Sequence, residues 1–147
     1  MVQAKMRPLS EKMRLKAEEK LLILNSPEGW AWQGNNFVTQ HAKAAEKYDQ
    51  VLYFVVERSR LESDFKNLKR LIGPKGKIWI AWPKAKKLGT DLNLDEVVKV
   101  IYPLGMVESI NLAIDETWTA LKFTWPKAGK AYRDNHAILV RDPDGSR

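Results

Sequence analysis

Apolar positions along the chain fall into short unbroken runs and into stripes of helical period. Val51 to Val56 is an unbroken apolar, β-branched and aromatic run. Such a run predicts a strand covered on both faces, as in a parallel sheet. Leu61, Phe65, Leu68 and Ile72 then recur at helical spacing, with Lys66, Lys69 and Arg70 largely off the stripe. Ser59-Arg60-Leu61-Glu62 has the form of a capping box that would open this helix. Gly73 stands where a left-handed residue would close it, and Pro74 forbids continuation. Lys75-Gly76 turns the chain into a second apolar strand, Lys77 to Trp82. Tyr48 to Lys84 is therefore expected to be strand, helix and strand joined by a right-handed crossover.

The same signals place the other elements. Leu9 to Arg14 predicts a short helix, Lys16 to Lys20 a charged turn, and Leu21 to Leu24 the first buried strand. That strand stops at Asn25-Ser26-Pro27-Glu28-Gly29-Trp30. Phe37 to Gln40 reads as a short strand and His41 to Lys47 as two turns of helix. About a dozen residues separate the first strand from Phe37, so any helix between them must be short. Pro83 to Thr90 is a lysine-rich loop. Asn93 caps a helix with Asp95 and Glu96 in its first turn and Leu94, Val97, Val98 and Ile101 on its buried side. Pro103 and Gly105 end it. Met106 to Ile114 predicts a strand with Ile110, Leu112 and Ile114 on one face. Trp118 to Trp125 alternates, with Thr119, Leu121, Phe123 and Trp125 on one side. The last two strands form an antiparallel hairpin.

Composition narrows the class. The 147 residues are 44% hydrophobic, which suits one domain with a real core. Residues 1–8 read as a loose end, 9–125 as the α/β domain and 126–147 as a basic tail. In that tail, residues 137–140 could add a strand and Asp142-Pro143-Asp144-Gly145 a turn. No apolar run is long enough for a bilayer, and the start has no apolar signal segment. There is no cysteine, which removes disulfides and thiolate metal sites and fits a cytoplasmic protein. Two histidines, His41 and His136, make a histidine-built metal site improbable, so no metal is expected. The formal charge of +7 favours polyanions in general. Its densest local cluster is Lys84, Lys86 and Lys87, a weak nucleic-acid candidate set against a plain solvated surface.

Alternating strands and helices that end in a hairpin predict a three-layer Rossmann-like open sheet, mostly parallel. Helix, Gly73-Pro74-Lys75-Gly76, strand, helix and hairpin resemble the C-terminal half of S-adenosylmethionine-dependent methyltransferases. The segments Asn25–Trp30, Tyr48–Val56, Ile78–Lys84 and Ile114–Phe123 are similar to a family of small prokaryotic proteins known as domain of unknown function 3052. That resemblance spans roughly Leu9 to Trp125 and implies a methyltransferase-related fold with no assigned reaction.

The first-strand turn argues against methyl transfer. Such enzymes hold their cofactor on a glycine-rich turn at a helix N-terminus. Here the turn has one glycine, Pro27 lacks an N–H, and Glu28 brings negative charge. The second strand ends Thr39-Gln40-His41, with no acid for a ribose. No cofactor is expected, and S-adenosylmethionine is disfavoured. No nucleophile elbow, Walker A or dinucleotide glycine motif is present.

Open α/β sheets bind ligands beyond the carboxyl ends of their strands. Asn25, Glu28 and Glu57, with Lys84 and Asp115, would converge there. Trp82 and Trp118 would form apolar walls, and Trp30 belongs to the same candidate pocket. The bland alternative pairs Glu28 or Glu57 with Lys84 and lets Asp115 cap its own turn. The expected function is a non-catalytic, methyltransferase-like domain that binds a small molecule or a protein partner at this edge. The alternatives are a methyltransferase with a remodelled turn or a basic nucleic-acid-associated protein. No membrane role is expected.

Overall fold

The computed structural model describes residues 7–32, 34, 38–40, 42, 46–127, 131–133 and 138–140. Its centre is a six-stranded sheet of β1 (Leu21–Leu24), β2 (Val38–Thr39), β3 (Tyr48–Phe54), β4 (Ile72–Pro83), β5 (Val107–Ala113) and β6 (Trp118–Thr124). The strands lie in the order β2-β1-β3-β4-β6-β5. β1 to β4 are mutually parallel, and β6 runs antiparallel between β4 and β5. The Rossmann-like class and the terminal hairpin are as the periodicity predicts. Residues 131–133 and 138–140 form a separate antiparallel pair, β7 and β8, so the described part of the tail holds two short strands where one is expected.

Two helices cover one face. α2 (Arg58–Lys69) buries Leu61, Phe65 and Leu68, and α3 (Leu94–Ile101) buries Val97, Val98, Val100 and Ile101. They meet Val51, Tyr53, Ile78, Ile80, Trp82, Leu121 and Phe123 from the sheet. Among the described residues the only helix on the other face is α1 (Leu9–Lys12), a single turn, with Met13 beside it. Tryptophans dominate the rest of this face, with Leu15, Val56, Leu112 and Ile114 packed beside them. Trp30, Trp32, Trp79 and Trp118 share one cluster with Leu21, Ile23, Leu52 and Phe54.

Several expectations need correction. The stripe on α3 runs through Val100 and leaves Leu94 50% exposed, because Leu94 is the first residue after the cap. Asn93 does cap, with Oδ1 accepting from the Glu96 N–H at 2.8 Å. Ser59 does not. α2 starts at Arg58 with Glu57 in the cap position, two residues before Ser59, and Asp91 Oδ1, from a distant loop, accepts the Arg58 N–H at 2.8 Å. Gly73 is not left-handed, since positive φ among the described glycines occurs only at Gly29, Gly89 and Gly105. Gly73 to Gly76 instead bulge out of β4, between the Tyr48–Ile72 and Gln50–Lys77 pairings. A side chain at Gly76 would clash with Ile72 Cβ, so glycine is required where the strand folds back on itself. Ile110 is 37% exposed because β5 bulges between Glu108 and Asn111, which breaks the expected alternation with Leu112 and Ile114. The helix expected over residues 41–47 falls partly outside the described residues. Ala42, Glu46 and Lys47 are not helical.

Candidate functional site

From β1 the chain moves outward to β2, then returns to lie on the other side of β1 as β3. The strand order therefore reverses between β1 and β3. A crevice outside the carboxyl ends of those two strands is where open α/β sheets take ligands. A cleft of about 270 Å³ occupies this place, lined by Asn25 and Pro27 after β1, Phe54 to Glu57 after β3, Arg60 on α2, and Trp118.

Local chemistry fixes each wall. Asn25 turns the chain after β1 with φ of 59°, a left-handed position that asparagine tolerates better than most residues. The Trp30 N–H donates to the Pro27 carbonyl at 3.0 Å, closing a turn around Gly29. Trp30 then packs edge-on to Phe54 at 4.9 Å between centroids, and Phe54 edge-on to Trp118 at 5.1 Å. Such T-shaped contacts fix ring positions as well as bury area. Trp118 begins β6 opposite Pro83, so the hairpin turn lies at the same edge as the ends of β3 and β4. Asp115 Oδ1 accepts the N–H groups of Thr117 and Trp118, each at 2.8 Å. Asp115 thus caps its own turn and presents Trp118 to the cleft.

The helical side is held by a polar chain. Thr90 Oγ1 donates to the Val56 carbonyl and accepts the Leu92 N–H at 3.0 Å. Arg58 bridges Glu62 and Glu96, both at 2.9 Å, and so ties α2 to α3. Arg60 Nε lies 3.4 Å from Asp64 Oδ2, the oxygen that accepts Tyr53 OH at 2.6 Å. Burial and then that carboxylate push the Tyr53 hydroxyl well above its usual range. Tyr53 is a fixed donor at neutral pH, and Arg60 remains at the cleft rim.

Seven of the eight predicted site residues divide among three recesses at this edge. Asn25, Glu57 and Trp118 line the cleft over the strand reversal. Trp30 and Asp115 line a neighbouring recess of about 280 Å³ with Leu9 and Ile114. Trp82 and Lys84 line a third, of about 400 Å³, with Lys86, Asn93 and Asn111. Glu28 is exposed and lines none of the three. Among the described ion pairs, neither Glu28 nor Glu57 meets Lys84. Lys87 is committed, with Nζ donating to the Glu116 carbonyl at 2.7 Å. Phe54 and Arg60 were not singled out from sequence. Phe54 ends a strand and Arg60 lies on the following first turn, so the rule that selects Glu57 would also select them.

Among the described residues no three histidine, aspartate or glutamate side chains group as a metal would need. Nor is any described helix long and apolar enough to cross a membrane.

Known proteins bear on the fold. No family model matches the chain, and no curated protein matches it in sequence. Solved structures do match. A protein from Pyrococcus horikoshii OT3 superposes with a TM-score of 0.55 at 12% identity, covering 80% of this chain and 86% of its own. A TehB-like SAM-dependent methyltransferase from Corynebacterium glutamicum gives 0.51 at 10% identity, covering 79% and 85%. The fold is methyltransferase-like. A DhpI structure in complex with SAH gives 0.52 at 12% identity, covering 79% and 83%. At these identities the likeness establishes architecture alone.

Proposed function

We propose that this methyltransferase-like domain transfers no methyl group and instead binds a small, partly aromatic ligand in the cleft over the strand reversal. The supporting observation is the aromatic row Trp30–Phe54–Trp118 above the ends of β1 and β3, with Asn25, Glu57 and Arg60 at the rim. A planar apolar group suits the Phe54 and Trp118 walls. Arg60 and Asn25 would meet a carboxylate or another polar acceptor, while Glu57 would accept from a donor.

S-adenosylmethionine does not fit the residues present. Among the described residues between β1 and β3 there is no helix whose N-terminus would back the first turn. That turn has one glycine, one proline without an N–H, and a Trp30 N–H already bonded to Pro27. The fold similarity to a SAM-dependent enzyme and to an SAH complex keeps methyl transfer as the rival to be tested. The resemblance to the domain of unknown function 3052 family implies a related fold and no reaction.

Native mass spectrometry of the freshly purified full chain tests the proposal. A bound small mass is expected, lost in Trp118→Ala and weakened in Arg60→Gln. If the wild type carries nothing while Trp118→Ala merely melts far lower, Trp118 is core and the proposal fails.

A further inference from the structure

The sheet has a second edge, and its charge differs. At the carboxyl edge, cations are interleaved with acids, as in the Arg58–Glu62, Arg58–Glu96 and Arg60–Asp64 pairs. At the opposite edge β3 and β4 begin and β6 ends. A groove of about 510 Å³ lies there between the end of α2 and the Tyr102–Leu104 turn. Lys66, Lys69 and Arg70 line one side, Pro103 to Gly105 the other, and Trp125 is a further wall. No carboxylate is among these lining residues.

Neighbouring groups strengthen the positive character. Lys47 Nζ donates to the Arg70 carbonyl, and Lys75 is exposed on the β4 bulge. Most carboxylate oxygens near this edge have partners, the exception being Glu108 Oε2, which is buried with no hydrogen-bond partner. Glu46 pairs with Lys20 at 3.3 Å, Asp49 accepts the Lys20 N–H at 2.7 Å, and Glu108 accepts Tyr102 OH at 3.2 Å. Lys69 Nζ donates to the Leu104 carbonyl at 2.6 Å, which fixes one charge at the groove wall. Burial, and then the charge of Lys66, lower the Lys69 pKa, so an anion here would relieve crowding. Trp125 is half-buried, and its indole N–H is held on the Gly73 carbonyl at 3.0 Å. β8 lies against the Tyr102–Leu104 turn.

We propose that this groove binds single-stranded nucleic acid, with phosphates on Lys66, Lys69 and Arg70 and a base stacked on Trp125. Clustered cations beside an aromatic ring are the features that hold single strands without reading sequence. The lining has no amide or hydroxyl side chain to read base edges, so sequence preference is weak. The end of α2 carries the negative pole of its dipole, which opposes a phosphate. Lys47 on the Arg70 carbonyl offsets that pole, and binding must come from side-chain charge.

Fluorescence anisotropy of the full chain with a labelled oligothymidylate of about 12 nucleotides tests this. Binding is expected at roughly 25 mM salt, falling with a log–log slope of about −2 for three phosphates. Charge reversal by Lys66→Glu with Arg70→Glu should weaken it at least tenfold, and Trp125→Phe, which keeps a ring, should retain most of it. Lys84→Glu with Lys86→Glu should leave it within twofold. Absence of binding at low salt overturns the proposal. So does an unchanged affinity in the Lys66/Arg70 variant, an equal loss in the Lys84/Lys86 variant, or binding to phosphatidylserine vesicles but not to the oligonucleotide.

Discussion

The two faces of the sheet are buried by different means. One is covered by two amphipathic helices whose aliphatic stripes pack on β3, β4 and β6. Among the described residues, the other is covered by one helical turn and by Trp30 and Trp32 from the loop after β1, which pack on a cluster holding Trp79 of β4 and Trp118 of β6. Helical cover is repetitive and tolerant, because many methyl groups share the burial. Aromatic cover concentrates it in a few large side chains. Each indole also brings an N–H that needs a partner. Trp79 shows the consequence. Its Nε1 donates to Gln50 Oε1 at 2.8 Å, and Gln50 Nε2 donates to Glu19 Oε1 at 3.1 Å, so a polar chain runs into the thin face. Lys122 Nζ stands 5.7 Å from the Trp79 ring centroid on the same side.

The sharpest way to break this comparison is to remove one ring from each face. Trp79→Ala and Phe65→Ala should each cost about 3–5 kcal/mol in urea unfolding, because both side chains are fully buried. A loss below about 1 kcal/mol for Trp79→Ala, with Phe65→Ala behaving as expected, would mean that the thin face is surface rather than core. Gln50→Leu should cost about 1–3 kcal/mol by orphaning the Trp79 N–H, and the companion change Trp79→Phe should remove most of that penalty.

Smaller effects are expected on the helical face. Tyr53→Phe should cost about 1 kcal/mol by deleting the bond to Asp64, whose partial exposure limits the loss. The raised Tyr53 pKa has a defined sign. The unfolded chain releases this proton near pH 10, while the native state holds it to higher pH. Its stabilising contribution is therefore complete below about pH 10 and is lost as pH rises toward the native value. Melting in alkaline buffer should fall less steeply in Tyr53→Phe than in the wild type. Asn93→Ala should cost about 1 kcal/mol or slightly less, read as a small drop in melting temperature.

These contrasts also explain how far the residues could be read. The helical face follows period: the stripe Leu61-Phe65-Leu68 and the cap at Asn93 are local facts of sequence. The thin face has no period, because Trp30 and Trp32 lie in irregular chain and only meet Trp79 and Trp118 once the sheet has formed. Gly73-Pro74-Lys75-Gly76 was legible as an interruption. Whether it ended a helix or bulged a strand depends on the clash at Gly76 with Ile72, which sequence alone does not display. The candidate edge was legible through the rule about strand ends, and it located Asn25, Glu57 and Trp118. Their separation from Trp82 and Lys84 was not, because it depends on which strands adjoin: β1 and β3 at one cleft, β4 and β6 at the other.

The thin face also bears on the central claim, since the aromatic row lies at its carboxyl edge, where a methyltransferase of this fold would hold its cofactor. Isothermal titration of the full chain with S-adenosylmethionine and with S-adenosylhomocysteine tests it most directly. The account predicts no saturable heat from either compound up to about 1 mM. A one-site isotherm in the micromolar range would contradict it and return the domain to the methyltransferases in function as well as in fold.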